Sequence, residues 1–168
     1  MRWVTRKRIR VNRAATAWLV RRFIDPDATF EFTEPEQVAD IQRASGAIGF
    51  DAPGARYPHI DALGRCSFEA LVDEHCAGDP VLRRLAAIVG SADLPDAVGR
   101  TAEGAGLKAI SRGFPLVSAG DFETLERASF LYDALYASLR EEAMGPTPNA
   151  PVSGPRPMAT RRGSTTSP

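Results

Sequence analysis

The chain is short of almost every feature that announces a function. It has two cysteines in 168 residues, Cys66 and Cys76. That is too few for a disulfide framework, so free thiols and a reducing compartment are expected. The longest apolar stretches, such as residues 14–20, fall well below the roughly 20 residues that a membrane-spanning helix needs, which excludes membrane insertion. No phosphate-binding glycine loop, dinucleotide fingerprint, GxSxG elbow or paired CxxC motif is present, and there is no internal repeat. Export is excluded as well: Arg21-Arg22-Phe23-Ile24 resembles a twin-arginine signal, but acidic Asp25-Pro26-Asp27 follows where an apolar segment is required. A cytoplasmic protein is expected.

Lysine is nearly absent too. Of 21 basic residues 19 are Arg, the cation suited to planar, bidentate contact with carboxylates and oxyanions. The formal net charge of +0 conceals an uneven distribution. Residues 1–13 hold six cations and no acid, and residues 144–168 add three arginines, leaving about nine net negative charges on residues 14–143. Composition is otherwise that of a globular protein, at 43% hydrophobic and 25% charged. The expected division is one domain over residues 1–143 and a disordered Pro/Ser/Thr/Arg tail over residues 144–168.

Residues 2–5 read as a short strand, and Asn12 as the N-cap of a helix to about residue 24. Along that helix Ala15, Trp18, Leu19 and Phe23 recur at helical spacing, which places one face against a core. Residues 29–32 and 48–51 read as further strands, with a helix opened by Pro35 between them. The loop over residues 52–65 is long enough to be suspected of function. Beyond it the period is helical. Ser67 caps a helix with Phe68, Leu71, Val72 and His75 on one face; Asp79-Pro80 opens the next; a third covers residues 101–112; Ser118 and Asp121 open the longest, to about residue 143. The class is α+β, a small sheet of about three or more short strands covered by five to six helices, with the sheet order left open.

Three constellations could carry chemistry. Cys66 follows Arg65 and precedes the proposed helix start, where helix end and guanidinium would both favour thiolate; the alternative is a small buried hydrophobe beside Phe68. His59 lies seven residues earlier and could fold back to hold a single metal ion with Cys66, or to tune the thiol. Cys76 is roughly 15 Å further along the helix axis and cannot share that ion. His75 on the apolar face reads as core. Second, Arg6, Arg8, Arg10, Arg13, Arg21 and Arg22 form an arginine set flanking the first helix: if the start of that helix faces the loop, its free N–H groups and Arg13 make an oxyanion site, and otherwise the set is a solvated face pairing with the acidic body. Third, Asp133 sits at the edge of the last helix's seam, there to pair with Arg140 or to clamp an arginine of the first helix. No aromatic stacking series or DNA-reading helix accompanies the basic N-terminus, so nucleic acid is disfavoured as a partner.

Four segments taken together resemble the C-terminal domain of the chromate resistance protein ChrB family: Trp3-Val4-Thr5-Arg6; Arg13-Ala14-Ala15-Thr16-Ala17-Trp18-Leu19-Val20-Arg21-Arg22-Phe23-Ile24-Asp25; Arg65-Cys66-Ser67-Phe68-Glu69; and Tyr132-Asp133-Ala134-Leu135-Tyr136. The resemblance runs over about residues 1–143 and is most specific in the Trp-Leu-x-Arg-Arg-Phe-Ile-Asp run. It implies a role in chromate resistance, larger members placing a DNA-binding regulatory domain in front of this one. Arg13, Arg21, Arg22, Asp25, His59, Cys66 and Asp133 match the family pattern. Asn12 stands where Asp is common there, and Thr16-Ala17 where many members have Cys-Pro.

Chromate is a tetrahedral dianion like sulfate, which arginines and helix ends bind without telling the two apart. A thiolate distinguishes them, because it attacks Cr(VI) and begins its reduction. The expected function is therefore a chromate resistance accessory protein. It would bind chromate or a reduction product through Arg13, Arg21 and Arg22 with Cys66 and His59, supported by Asp25 and Asp133. A metal-dependent or redox enzyme using His59 and Cys66 stays open, as does a protein-interaction module without a small ligand. Association with further copies of the chain also stays open.

Overall fold

The computed structural model describes residues 1–97 and 99–145. The disorder expected for residues 144–168 thus lies outside the described residues, except at Met144, which ends the last helix, and Gly145.

Three strands, β1 (Arg2–Arg6), β2 (Thr29–Thr33) and β3 (Ile48–Gly49), form a sheet in the order β2-β1-β3. Both pairings are parallel, with Trp3 opposite Phe30 on one side and Ile48 on the other. Parallel neighbours need a crossover rather than a hairpin. α1 (Val11–Leu19) supplies the first and α2 (Val38–Ser45) the second.

The pleat decides where these crossovers go. Successive residues of β1 point to opposite faces: Trp3 packs with Phe30 and Phe50 in the larger core, whereas Val4 joins Val38, Ala47, Ala52 and Ala55 beneath α2. The helices therefore cover opposite faces, and a crevice is left at the carboxyl ends of β1 and β3, where the two connections diverge. Gly49 is needed beside it. A Cβ there would lie 2.7 Å from Gln42 Oε1 and 3.2 Å from Val38, both on α2.

α3 (Ser67–His75), α4 (Pro80–Asp93), α5 (Ala102–Val117) and α6 (Asp121–Met144) follow. Among the described residues there are thus six α-helices and a three-stranded sheet, the expected α+β arrangement. α1 is buried along all nine residues, not on one face, because the sheet lies on one side of it and α3, α4 and α6 on the others. The Tyr132 hydroxyl of α6, fully buried, donates to the Val11 carbonyl at 2.7 Å, satisfying both groups where no water reaches.

Several boundaries move by a residue or two, and the moves matter for the site. α1 begins at Val11 with Arg10 as its cap, so Asn12 sits in the first turn with its side chain free for other work. It caps a different helix: Asn12 Oδ1 accepts from the Phe68 N–H and the Ser67 hydroxyl, both at 3.2 Å, at the start of α3. Ser67 is accordingly the first residue of α3 and Cys66 its cap position, where the Cys66 N–H donates to Glu69 at 2.8 Å. Asp79 caps α4 as its sequence indicates, accepting from the N–H groups of Val81 and Leu82. Gly120, not Ser118, precedes α6. His75 is a correction: it lies at the surface with its Nε2 3.2 Å from the Tyr57 hydroxyl, because the α3 face that enters the core is carried by Phe68, Leu71 and Val72.

Candidate functional site

The crevice is a cleft of about 810 Å³. Its cationic lining comes from Arg6 at the end of β1, Lys7, Arg8 and Arg10 in the following turn, and Arg13 in α1. Its acids are Glu34, Asp51, Asp93 and Asp121. The turn is pinned by Asp121, which accepts from the N–H groups of Arg8 (3.0 Å) and Ile9 (2.7 Å), and Arg8 itself adopts φ +57°.

Asp51 organises the floor. It follows β3 in a left-handed backbone conformation (φ +50°) and is 1% exposed. Such geometry in a non-glycine residue persists only where the surroundings enforce it. Here they do so from every side. Oδ2 accepts from Arg13 at 2.8 Å and from Arg6 at 3.2 Å; Oδ1 accepts from Asn12 at 2.9 Å and faces His59 Nδ1 at 2.6 Å. The Asp51 N–H donates to the Tyr57 carbonyl, which folds the 52–65 loop back and carries His59 over the floor. Burial alone would raise the Asp51 carboxyl, but the His59 hydrogen bond and the two guanidinium charges overcome it and hold the group below the usual carboxylate range. Asp51 is therefore ionised, and His59 Nδ1 donates to it. That hydrogen bond is the main cause that raises His59 above its ordinary value.

Asp93, the last residue of α4, completes the group. Its Oδ2 lies 3.5 Å from His59 Nδ1, whose proton is already directed at Asp51. Asp93 is half-buried, and its Oδ2 is shut off from solvent without a donor; its carboxyl is pushed up to about 6, first by burial and then by the neighbouring Asp51 charge. One donor atom from each of Asp51, His59 and Asp93 lies within 4.8 Å of the others, which makes them a set able to hold a metal ion. Arg13 is 8% exposed, and burial depresses its pKa despite the Asp51 charge.

The structure thus brings together only part of the set proposed from sequence. Arg13 and His59 meet at Asp51. Cys66 does not join them. It is 0% exposed among core side chains, and burial, reinforced by Glu69, drives its thiol far above the ordinary range; the expected low-pKa thiol is corrected. The reason is that α3 presents its start to the core and not to the cleft, so that desolvation outweighs the helix end. Arg21, Arg22 and Asp25 lie at the other end of α1. A π-helical turn (Val20–Ile24) widens the helix there and directs Arg21 to Glu126 (2.6 Å) and Arg22 to Asp133 (2.5 and 3.0 Å). Asp133 also accepts from the Trp18 indole N–H at 2.8 Å, so it clamps an arginine after the first helix and does not pair with Arg140. Asp25 accepts from the Trp3 indole at 3.2 Å. These side chains fasten α1 to α6 and to β1, and none lines the cleft.

Asp51 and Asp93 escaped the reading of the sequence; Arg6 stood only within the arginine set flanking the first helix. The available signal was positional: Arg6 and Asp51 stand at the carboxyl ends of adjacent parallel strands, where open α/β sheets place their ligands. It could be used only once the order β2-β1-β3 was known.

Comparison with known proteins places the sequence in a family. The sequence model described as "ChrB, C-terminal domain" matches residues 3–139. The chain belongs to the ChrB C-terminal domain family. Protein ChrB of Cupriavidus metallidurans is 37% identical over 142 residues, which take up 80% of this chain and 39% of that protein. The chain therefore spans about two-fifths of the length of this ChrB relative. No solved structure matches it. Both elements of the cleft, the turn after β1 and the loop carrying His59, fall inside the matched residues, as do Cys66 and Asp133. No helix among the described residues is long and apolar enough to cross a membrane.

Proposed function

We propose that the chain serves chromate resistance by binding a tetrahedral oxyanion, chromate or an anionic product of its reduction, in the cleft at the ends of β1 and β3. The observation that carries this reading is the convergence there of Arg6, Lys7, Arg8, Arg10 and Arg13 around the start of α1. Arg6 and Arg13 are committed to Asp51, and Lys7 reaches Glu34 at 2.9 Å. Arg8 and Arg10 are exposed and make no side-chain hydrogen bond or ion pair among the described residues, so they are available to a ligand. The positive end of α1 adds to the same potential.

Arg21 and Arg22 are left out of this site because carboxylates of α6 occupy them. Cys66 has no part in a direct attack on Cr(VI) in the folded protein, since its thiol is buried and protonated. Membership of the ChrB C-terminal domain family supports the link to chromate; a cytoplasmic location accords with the free, unpaired thiols.

Calorimetric titration of the reduced protein with chromate and, at matched ionic strength, with sulfate tests the reading. Arg8→Ala and Arg10→Ala should each weaken chromate binding several-fold, and the double variant by more than tenfold. Binding that is absent in the wild type, or unchanged in the double variant, would refute it.

A further inference from the structure

The floor of the cleft holds three acceptor atoms and too few protons for them. Asp51 Oδ1 and His59 Nδ1 are 2.6 Å apart, and His59 Nδ1 and Asp93 Oδ2 are 3.5 Å apart. A single proton, on Nδ1, serves the first pair and leaves the buried Asp93 Oδ2 with no donor at all. An orphaned buried acceptor is costly and rare, and it marks a place where something else completes the coordination.

We infer that Asp51, His59 and Asp93 form a binding site for one divalent transition-metal ion, which takes the place of the His59 Nδ1 proton. A metal bonded at about 2.1 Å to nitrogen and oxygen sets neighbouring donors roughly 3.0–3.4 Å apart. The two separations bracket that range, and all three donor atoms fall within 4.8 Å of one another. When the proton leaves Nδ1, to Nε2 in the neutral ring or to solvent from the imidazolium, the Oδ1 lone pair it occupied is freed, while Asn12, Arg6 and Arg13 keep the rest of the Asp51 carboxylate oriented. One imidazole and two carboxylates form a borderline donor set, which suits zinc, manganese, iron, cobalt or nickel more than calcium or magnesium. Three protein ligands leave positions open towards the cleft, the arrangement of an ion that also holds a small ligand.

The surrounding charges shape the outcome. Arg6 and Arg13 balance the two carboxylates, so the ion keeps its full positive charge at the site; Arg8 and Arg10 at the rim add to it. The ion therefore binds less tightly than in an uncompensated carboxylate cage, and an anion from the cleft occupies its open positions. This donor set also differs from the His59 and Cys66 pair expected from sequence. His59 is shared, whereas the Cys66 thiol lies outside the group, sealed in the core.

The test uses the full chain, stripped with chelator, and the metal alone as probe. Zn²⁺ is titrated calorimetrically in two buffers of different ionisation enthalpy, and Co²⁺ is followed by its visible absorption. The expected result is one equivalent bound with no more than one proton released. His59→Gln and Asp93→Asn should each lower affinity more than tenfold, whereas Cys66→Ala changes nothing and the Co²⁺ spectrum shows no thiolate charge-transfer band. Circular dichroism establishes that each variant is folded; Asp93→Asn replaces an oxygen that has no partner and is the less disruptive of the two. Sub-stoichiometric binding, binding that survives both variants, or a thiolate band would each overturn the assignment. Chromate binding by the metal-free protein is a separate outcome, which decides the anion reading and not this one.

Discussion

Arg13, in the first turn of α1, reaches the carboxylate of Asp51 at the end of β3 at 2.8 Å, with both side chains withdrawn from water. The pair bridges two segments 38 residues apart and fixes the angle at which the cleft opens. Asp51 holds Arg6, Asn12 and His59 as well, so a single carboxylate ties β1, α1 and the 52–65 loop together.

Asp51→Asn should therefore be severely destabilising. Asparagine keeps the volume and tolerates the left-handed backbone, but it leaves Arg13 buried without its counter-charge. A loss of about 3–5 kcal/mol is expected, by analogy with other buried pairs broken on one side. Urea denaturation of the two proteins measures it.

Arg22→Ala separates the second arginine cluster from the site. The Arg22 side chain is 54% exposed and its ion pair with Asp133 is solvent-screened, so a stability change of about 0–1 kcal/mol is expected. Chromate affinity should not move. Asp133→Ala should cost more, about 1–2 kcal/mol, because it also strips the partner from the buried Trp18 indole N–H. Thermal denaturation beside chromate titration checks both.

The thiols should react in a fixed order. Cys76, part-exposed at the end of α3, should be labelled by an aromatic disulfide reagent while the protein is folded; Cys66 should be labelled only as fast as the molecule opens. Fragment-ion mass analysis of the tryptic peptide over residues 66–83, which carries both thiols, reads the order over the labelling time course. Labelling of Cys66 at a rate comparable to Cys76 would contradict the burial described above.

The loop that carries His59 has its own pH dependence. Burial alone would raise the Asp61 carboxyl, but the N–H groups of Arg65 and Leu63 and the Arg65 guanidinium hold it below its ordinary value of 3.8. With the folded-state pKa depressed, the stabilisation is fully present above 3.8 and fades as pH falls below it and through the folded-state value. Asp61→Asn should accordingly lower Tm at pH 7, by the equivalent of about 1–2 kcal/mol, and by progressively less below pH 3.8. Melting curves across that range test the sign.

Crowding at the second crossover gives a further outcome. Gly49→Ala places a methyl 2.7 Å from Gln42 Oε1 and 3.1 Å from the Ala55 Cβ. A cost of about 1–3 kcal/mol follows from overpacking, together with loss of the Gln42 contacts to the Gly49 and Arg56 N–H groups. Denaturant titration gives the value.

The elements legible from sequence are the local ones. Alternation in residues 29–32, the Asp79-Pro80 cap and the helical period from Phe68 onward are set by neighbours within a few residues, and those elements stand where the sequence puts them. Arg13 and His59 were legible as candidates from residue type and from the length of the 52–65 loop. Their meeting point was not. Asp51, Asp93 and Arg6 come together through the parallel order β2-β1-β3 and the packing of α4, contacts across 38 to 45 residues that no periodicity records. The fate of Cys66 shows the same division: its place at the start of α3 was readable, and by charge alone it predicts a thiolate. Only the tertiary packing decided that this helix start faces the core, where desolvation outweighs the helix end and keeps the proton on sulfur.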